Sequence, residues 1–189
     1  MSDFPTRILD LFQAIHPLDR VPRSGYLLRG VADPESVAAH SHFVTLMALL
    51  FVEEHPGQFN RDRVLAMALI HDLSEARIMD IPMPYADAYM SEAKNHAEQA
   101  ILEDLLAGFP PHLAELHAEF NAAETPEARL LRGLDKAQMM VKIINYEKEH
   151  RGNLAEFWTN PKNFKDYGLD CVSRLFDVIC ARAGKPRPT

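Results

Sequence analysis

The run Val64-Leu65-Ala66-Met67-Ala68-Leu69-Ile70-His71-Asp72-Leu73-Ser74-Glu75-Ala76 is apolar and strongly helix-forming until His71-Asp72 interrupts it. A buried carboxylate loses its solvation, so it is normally ion-paired, hydrogen-bonded or bound to metal. Alone, a His-Asp dipeptide reads most simply as a hydrogen-bonded core histidine beside a surface aspartate. Two further residues change that reading: His40 in a preceding helical run, and Asp135 on the apolar face of a later one. Two imidazoles and two carboxylates from three helices make a ligand set for a divalent transition metal, and these donors suit zinc, iron, manganese, cobalt or nickel.

Working outward toward the N-terminus, Asp33-Pro34-Glu35-Ser36 carries helix-start signals, and Pro56-Gly57 stops the helix predicted over about Ser36 to His55. Val37, His40, Val44 and Met47 fall on one face of it, whereas His42 points elsewhere. Asn60 is a good cap for the helix bearing His71-Asp72, and Glu75 is predicted one turn beyond His71 on the same face. Pro82 and Pro84 then break the helical pattern between Arg77 and Tyr85, which brings Glu75 and Asp80 within reach of the site. Each of those carboxylates, taken alone, reads as solvent-facing charge.

Toward the C-terminus, Thr125-Pro126-Glu127 opens a long helix in which Ala128, Leu131, Asp135 and Met139 share a face. Further helices are predicted over Phe4 to Ile15, about Ala86 to Ala107, a short stretch through Phe120, Asn153 to Trp158, and Asp166 to Arg182. His16, His112 and His117 read as surface residues, and the tail Gly184 to Thr189 is expected to fray. No segment alternates as a strand would. The expected fold is all-α, a helical bundle with a metal site between helices.

A chain of 189 residues fits one domain, here 1–189 with a core of about 20–150, and 47% hydrophobic with 25% charged residues is ordinary globular composition. The N-terminus lacks a basic region followed by a long apolar core, and Val44 to Val52 is too short to span a bilayer, so a cytoplasmic protein without membrane contact is expected. Cys171 and Cys180, in one predicted helix, would lie ~13 Å apart, too far for a disulfide. A formal net charge of −7 disfavours broad binding to nucleic-acid polymers but leaves small phosphorylated ligands open.

His40, His71-Asp72 and Asp135, in that order, resemble the H…HD…D pattern of the HD-domain metal-dependent phosphohydrolase superfamily. The runs Pro34-Glu35-Ser36-Val37-Ala38-Ala39-His40-Ser41, His71-Asp72-Leu73-Ser74-Glu75, Asp80-Ile81-Pro82 and Leu134-Asp135-Lys136 look like the branch containing HD-domain 5′-deoxynucleotidases, a likeness that covers roughly residues 20 to 150. The resemblance implies hydrolysis of a deoxyribonucleoside 5′-monophosphate, with His40, His71, Asp72 and Asp135 as ligands of the principal metal. It implies a catalytic acid/base or water-positioning role for Glu75, and in some members a second metal near Glu75, Asp80 and the backbone of Ile81. It also implies a homodimer. Cobalt, manganese, zinc, nickel, iron and magnesium all stay open as the divalent ion.

The loop Arg20 to Gly30 offers Arg23, Tyr26 and Arg29 as substrate contacts, the arginines for phosphate charge and the tyrosine for stacking. Relatives commonly carry tryptophan where this chain has Tyr26, which leaves base and sugar selectivity open. A metal-bearing regulatory or nucleotide-binding module with little turnover, a phosphodiesterase and a di-iron oxygenase are the competing readings. The ligand set itself yields a measurement: His71→Ala and Asp135→Ala should lose metal far more severely than His42→Ala or His96→Ala. Elemental analysis giving equal metal content in all four would contradict it.

Overall fold

The computed structural model describes residues 3–188; Met1, Ser2 and Thr189, at the two ends considered above for targeting and fraying, lie outside the described residues. The described chain is helical, with no strand among the described residues beyond a single bridge between Pro22 and Ser36. Its helices are α1 (Phe4–Ile15), α2 (Ser24–Leu27), α3 (Val37–Glu54), α4 (Arg61–Ile70), α5 (Glu75–Ile78), α6 (Met83–Tyr85), α7 (Ser91–Leu105), α8 (His112–Ala122), α9 (Pro126–Lys148), α10 (Ala155–Thr159) and α11 (Asp170–Ala183). The all-α expectation holds.

Helices α3, α4 and α9 start where side-chain chemistry starts them. Ser36 accepts from the amide of Ala39, Asn60 from that of Arg63, and Thr125 from that of Ala128, each answering one of the orphan donors of a helix N-terminus. Helix α9 is central: 13 of its 23 residues are buried, so it has no solvent stripe of ordinary width and must be covered on several sides. α3, α4, α8 and α11 supply that cover. α3 is 18 residues long with a mean hydropathy of 1.2, enough by length and composition for a weak membrane-span candidate. Part of that apolarity is core: Val37, Val44, Ala48 and Val52 are buried, while Phe43, Leu46 and Leu50 stay exposed on the outer face.

Three expectations need correcting. The helix through His71 does not continue to Ala76: α4 ends at Ile70, and Leu73 to Ile70 and Glu75 to Asp72 are joined by i to i−3 bonds of 3.1 Å. These tighter turns redirect the chain at His71-Asp72, so the two side chains converge instead of diverging as neighbours on a regular helix do. The segment Ala86 to Ala107 is not one regular helix either, because a π-turn over Ala86–Met90 precedes α7. Finally, the tail through Arg187 is docked. Its guanidinium donates to the Phe164 and Ser173 carbonyls, pairs with Asp166 and Asp177, and lies over the Phe176 ring.

Gly133 sets how closely α9 and α11 approach. A Cβ there would meet Cγ1 of Val172 at 2.7 Å, and Val172 is fully buried and stiff at χ1. Gly133→Ala should therefore destabilise by about 1 kcal/mol or more, overpacking outweighing the gain in helix propensity. In denaturant titrations, Gly133→Ala/Val172→Ala should lose less than the two single changes summed.

Candidate metal centre

His40 comes from α3, His71 and Asp72 from the tight turn after α4, and Asp135 from the middle of α9. The structure brings all four together. His40 Nε2 lies 3.2 Å from Asp135 Oδ1 and 3.6 Å from Asp72 Oδ2, and His71 Nε2 lies 3.2 Å from the same Asp72 oxygen. One donor atom each from His40, His71 and Asp72 fits within 4.8 Å of the others. His42 and His96 are exposed and take no part, as expected.

Both imidazoles are held in one tautomer from behind. Nδ1–H of His71 donates to the Ala68 carbonyl at 2.8 Å, and Nδ1–H of His40 donates to Gln138 Oε1 at 2.7 Å. Each ring therefore turns the Nε2 lone pair into the cluster, the form in which imidazole binds a metal. His40 Nε2, His71 Nε2, Asp72 Oδ2 and Glu75 Oε2 are buried with no hydrogen-bond partner; even the 3.2 Å approach of Asp135 to His40 lacks hydrogen-bond geometry. A buried polar atom left unpaired costs about 1–3 kcal/mol. Three of them, His40 Nε2, His71 Nε2 and Asp72 Oδ2, come from the residues whose donor atoms gather within 4.8 Å, and as lone-pair donors they fit a bound cation.

Burial opposes ionisation of Asp72, yet His71 and Arg23 outweigh it and hold this carboxylate well below the usual range. Burial likewise opposes Asp135, and Lys136 with His40 holds it low. Glu75 is the contrast: burial pushes its carboxyl well up, and Asp72 and Asp80 add to the effect. Adjacent carboxyls pushed in opposite directions mark an acid/base site.

Asp80 also lies at the site. The Arg23 guanidinium sits 3.2 Å from Asp80 and 3.7 Å from Asp72, and the Ser24 amide donates to Asp80 as well. The chain reaches Asp80 through Met79, whose φ of 66° is a left-handed conformation costly for a residue with a side chain. Ile81 follows in the cavity wall. Arg23 and Arg29 both line the cavity, but Arg29 pairs with Glu156 at 2.6 Å, so carboxylates already counter both charges. Tyr26 touches the cavity from the core: it is 2% exposed and its hydroxyl donates to the Met139 carbonyl.

The cluster opens into a cavity of about 530 Å³, the size of a small-molecule site. Several lining residues were not singled out from sequence. His117, expected to be exposed, is 1% exposed; burial lowers its pKa to about 4, and its Nδ1 contacts Gln99 Oε1 at 3.1 Å. Its signal was the three-residue spacing of Ala114, His117 and Phe120. Gln138 and Glu35 form the tier behind His40, the Gln138 amide donating to Glu35 at 3.1 Å while Lys142 lies 3.6 Å from the same carboxylate. Gln138 shares a face with Leu131 and Leu134, where a polar residue already stood out. Nothing in the sequence marked Glu35, which looked like a helix-start residue.

Comparison with known proteins places this arrangement. The family model for the HD domain matches residues 15–166. The chain belongs to the HD domain family. Within the sequences of named proteins, it is 31% identical over 159 residues to 5′-deoxynucleotidase HDDC2 of Xenopus laevis, covering 81% of this chain and 77% of that one. It is 32% identical to 5′-deoxynucleotidase HDDC2 of Bos taurus, covering 80% and 74%. A conserved hypothetical protein from Pyrococcus furiosus is similar in structure, with a TM-score of 0.76, 34% identity, and coverage of 93% of this chain and 98% of that chain.

The tier behind His40 is open to test in this HD protein. Gln138→Ala releases the His40 tautomer and leaves Glu35 without its amide donor, and losses of outer partners typically reduce metal affinity by about 10–100-fold. A metal-binding isotherm should show a drop of that order with the helical circular-dichroism signal retained; unchanged affinity would assign Gln138 to packing alone.

Proposed function

We propose that the protein is a metal-dependent 5′-deoxynucleotidase, converting deoxyribonucleoside 5′-monophosphates and water to deoxyribonucleosides and phosphate. One observation carries this reading: the unpaired, buried His40 Nε2, His71 Nε2 and Asp72 Oδ2 converge beside Glu75 on a cavity of nucleotide size. The relatives of that name at 31% and 32% identity support the substrate class. His40, His71, Asp72 and Asp135 would hold the principal divalent cation, and Glu75, Asp80 and the Ile81 backbone a second one. Such a cation supplies Lewis acidity at a phosphoryl oxygen and makes water a stronger acid near neutral pH.

The remaining work falls to the side chains. The Nδ1–H bonds to Ala68 and Gln138 keep both imidazoles aimed, so no reorientation accompanies the reaction. Glu75, buried beside Asp72 with its carboxyl pushed well up, is placed to give a proton to the 5′ oxygen as the bond from phosphorus to that oxygen breaks, and to recover one from the attacking water as its oxygen bonds to phosphorus. Arg23, gripped between Asp80 and Asp72, keeps the two carboxylates apart and the loop closed over them.

The same reading treats residues 1–189 as one domain acting on a small-molecule nucleotide in the cytoplasm. The formal net charge of −7 supports a function without nucleic-acid polymers or anionic membrane surfaces. Exposed Phe43, Leu46 and Leu50 on α3 support a homodimer, and free Cys171 and Cys180 fit a reducing compartment.

A phosphate-release screen over deoxyribo- and ribonucleoside 5′-monophosphates, with protein reconstituted separately with each divalent metal, tests reaction, substrate and ion together. Glu75→Ala should keep fold, principal metal and nucleotide affinity while single-turnover release falls on the order of a hundredfold or more. Release at the wild-type rate would remove Glu75 from catalysis, and partial recovery with added metal would assign it to a second ion.

A further inference from the structure

The cations of the cavity are not equivalent. Arg23 pairs with Asp80, Arg29 with Glu156, Lys94 with Glu98 and Lys162 with Asp87. Arg132 has no carboxylate within 4.0 Å among the described residues. Its Nε donates to the Tyr167 hydroxyl at 3.3 Å, its guanidinium lies 4.9 Å from the centre of the Phe120 ring, and neither Nη group has a hydrogen-bond partner among the described residues. Lys136 pairs only with its sequence neighbour Asp135, at 3.8 Å, and its side chain is only 17% exposed. An enclosed arginine is ordinarily paired with an acid, so Arg132, and Lys136 beyond its one contact, keep charge to offer a ligand.

Their placement explains what could pair them. Arg132, Asp135, Lys136 and Met139 all line the cavity and fall at i, i+3, i+4 and i+7 on α9, one continuous stripe. Arg132 stands ~4.5 Å along the helix axis from Asp135. Phe120, on which it stacks, also meets the His71 ring edge-on at 5.2 Å. The guanidinium is thus fixed one aromatic ring away from the histidine cluster. Tyr167 is fixed in turn: its φ is 53°, and Arg129 donates from Nε to its carbonyl at 2.7 Å. The clamp holds a left-handed residue that would otherwise relax.

Asp72, Asp80 and Asp135 gather negative charge at the cluster, with Arg23 between two of them and Lys136 beside the third, so further positive charge on the cavity wall favours a phosphate dianion there. We propose that Arg132 and Lys136 are the phosphate-recognition pair of this site, the planar Nη fork of Arg132 binding two oxygens of a phosphomonoester and Lys136 neutralising the third. The role assigned from sequence to the Arg23 and Arg29 loop thereby moves to α9. The proposal rests on the phosphohydrolase reading above and adds the residues that select a phosphorylated over an unphosphorylated nucleoside.

The test compares wild type with Arg132→Ala, Arg132→Lys and Lys136→Met, each matched for metal content and thermal unfolding. Equilibrium binding of inorganic phosphate and of an unphosphorylated deoxyribonucleoside is measured beside KM and kcat for a deoxyribonucleoside 5′-monophosphate. Arg132→Ala should weaken phosphate binding about tenfold or more, the loss expected for a charge-assisted hydrogen bond, and raise KM similarly while nucleoside affinity stays unchanged. Lys136→Met should lose phosphate affinity as well, and Arg132→Lys should recover part of the loss. If Arg132→Ala proves too unstable to compare, Arg132→Lys, which keeps the charge but loses the fork, must still bind phosphate more weakly than wild type. Wild-type phosphate affinity in all three variants, or equal losses for phosphate and nucleoside, overturns the proposal. A wild-type protein that releases no phosphate from any 5′-mononucleotide, yet loses phosphate affinity on Arg132→Ala, overturns the deoxynucleotidase reading and sustains the pair.

Discussion

The burial of most of the Asp72 and Asp135 carboxylates in the cavity wall is the constraint on which the rest of this structure depends. Both carboxylates are ionised against the cost of burial, and each needs positive charge or donors close by. Arg23 reaches in from the N-terminal loop, His40 from α3 and His71 from the turn after α4. Three segments distant in sequence are thus tied to α9 through one electrostatic cluster. An apolar core of the same shape would pack as tightly but would leave no cluster of lone pairs for a cation.

Rigidity around the cluster comes from a second tier. Glu35, buried, holds the Gln138 amide, and that amide decides which His40 nitrogen carries its proton. Glu35 is held in turn by Lys142, and its own amide donates to the Tyr146 hydroxyl at 2.8 Å. Because Gln138 and Asp135 lie one helical turn apart on α9, one rigid element sets both the carboxylate and the imidazole facing it. Two of the left-handed residues stand at the edge of the cavity, where Met79 precedes Asp80 and Tyr167 meets Arg132. Strain persists only where neighbouring bonds over-determine it, and Asp80 with Arg23 and Ser24, and Tyr167 with Arg129, provide those bonds.

Much of the architecture was legible in one dimension because local chemistry specifies helix starts. Ser36, Asn60 and Thr125 cap as their side chains require, and the apolar periodicity of α3 and α9 placed His40 and Asp135 facing inward. What periodicity misread was the end of α4, since an apolar helix-forming run gives no local warning of a turn imposed by tertiary packing. His117 was misread for a related reason: one histidine in a short amphipathic stretch can face either way until a neighbouring helix buries it. Arg187 illustrates a third limit, because a short tail with two prolines and two basic residues looks mobile unless the distant carbonyls and carboxylates it meets are known.

By itself the sequence determined the helical class, the inward faces of α3 and α9, and four donor residues whose order matches the HD pattern, because caps, periodicity and ligand types are local properties of the chain. Only the tertiary structure decided which donors converge, which tautomer each imidazole holds, and which cations remain unpaired. Those are properties of contacts between residues far apart in sequence: His40 and Gln138, Arg23 and Asp80, and Arg132 and Tyr167 meet only when α9 is enclosed. A charge's partner and its desolvation are both set by that enclosure, which no spacing along the chain encodes.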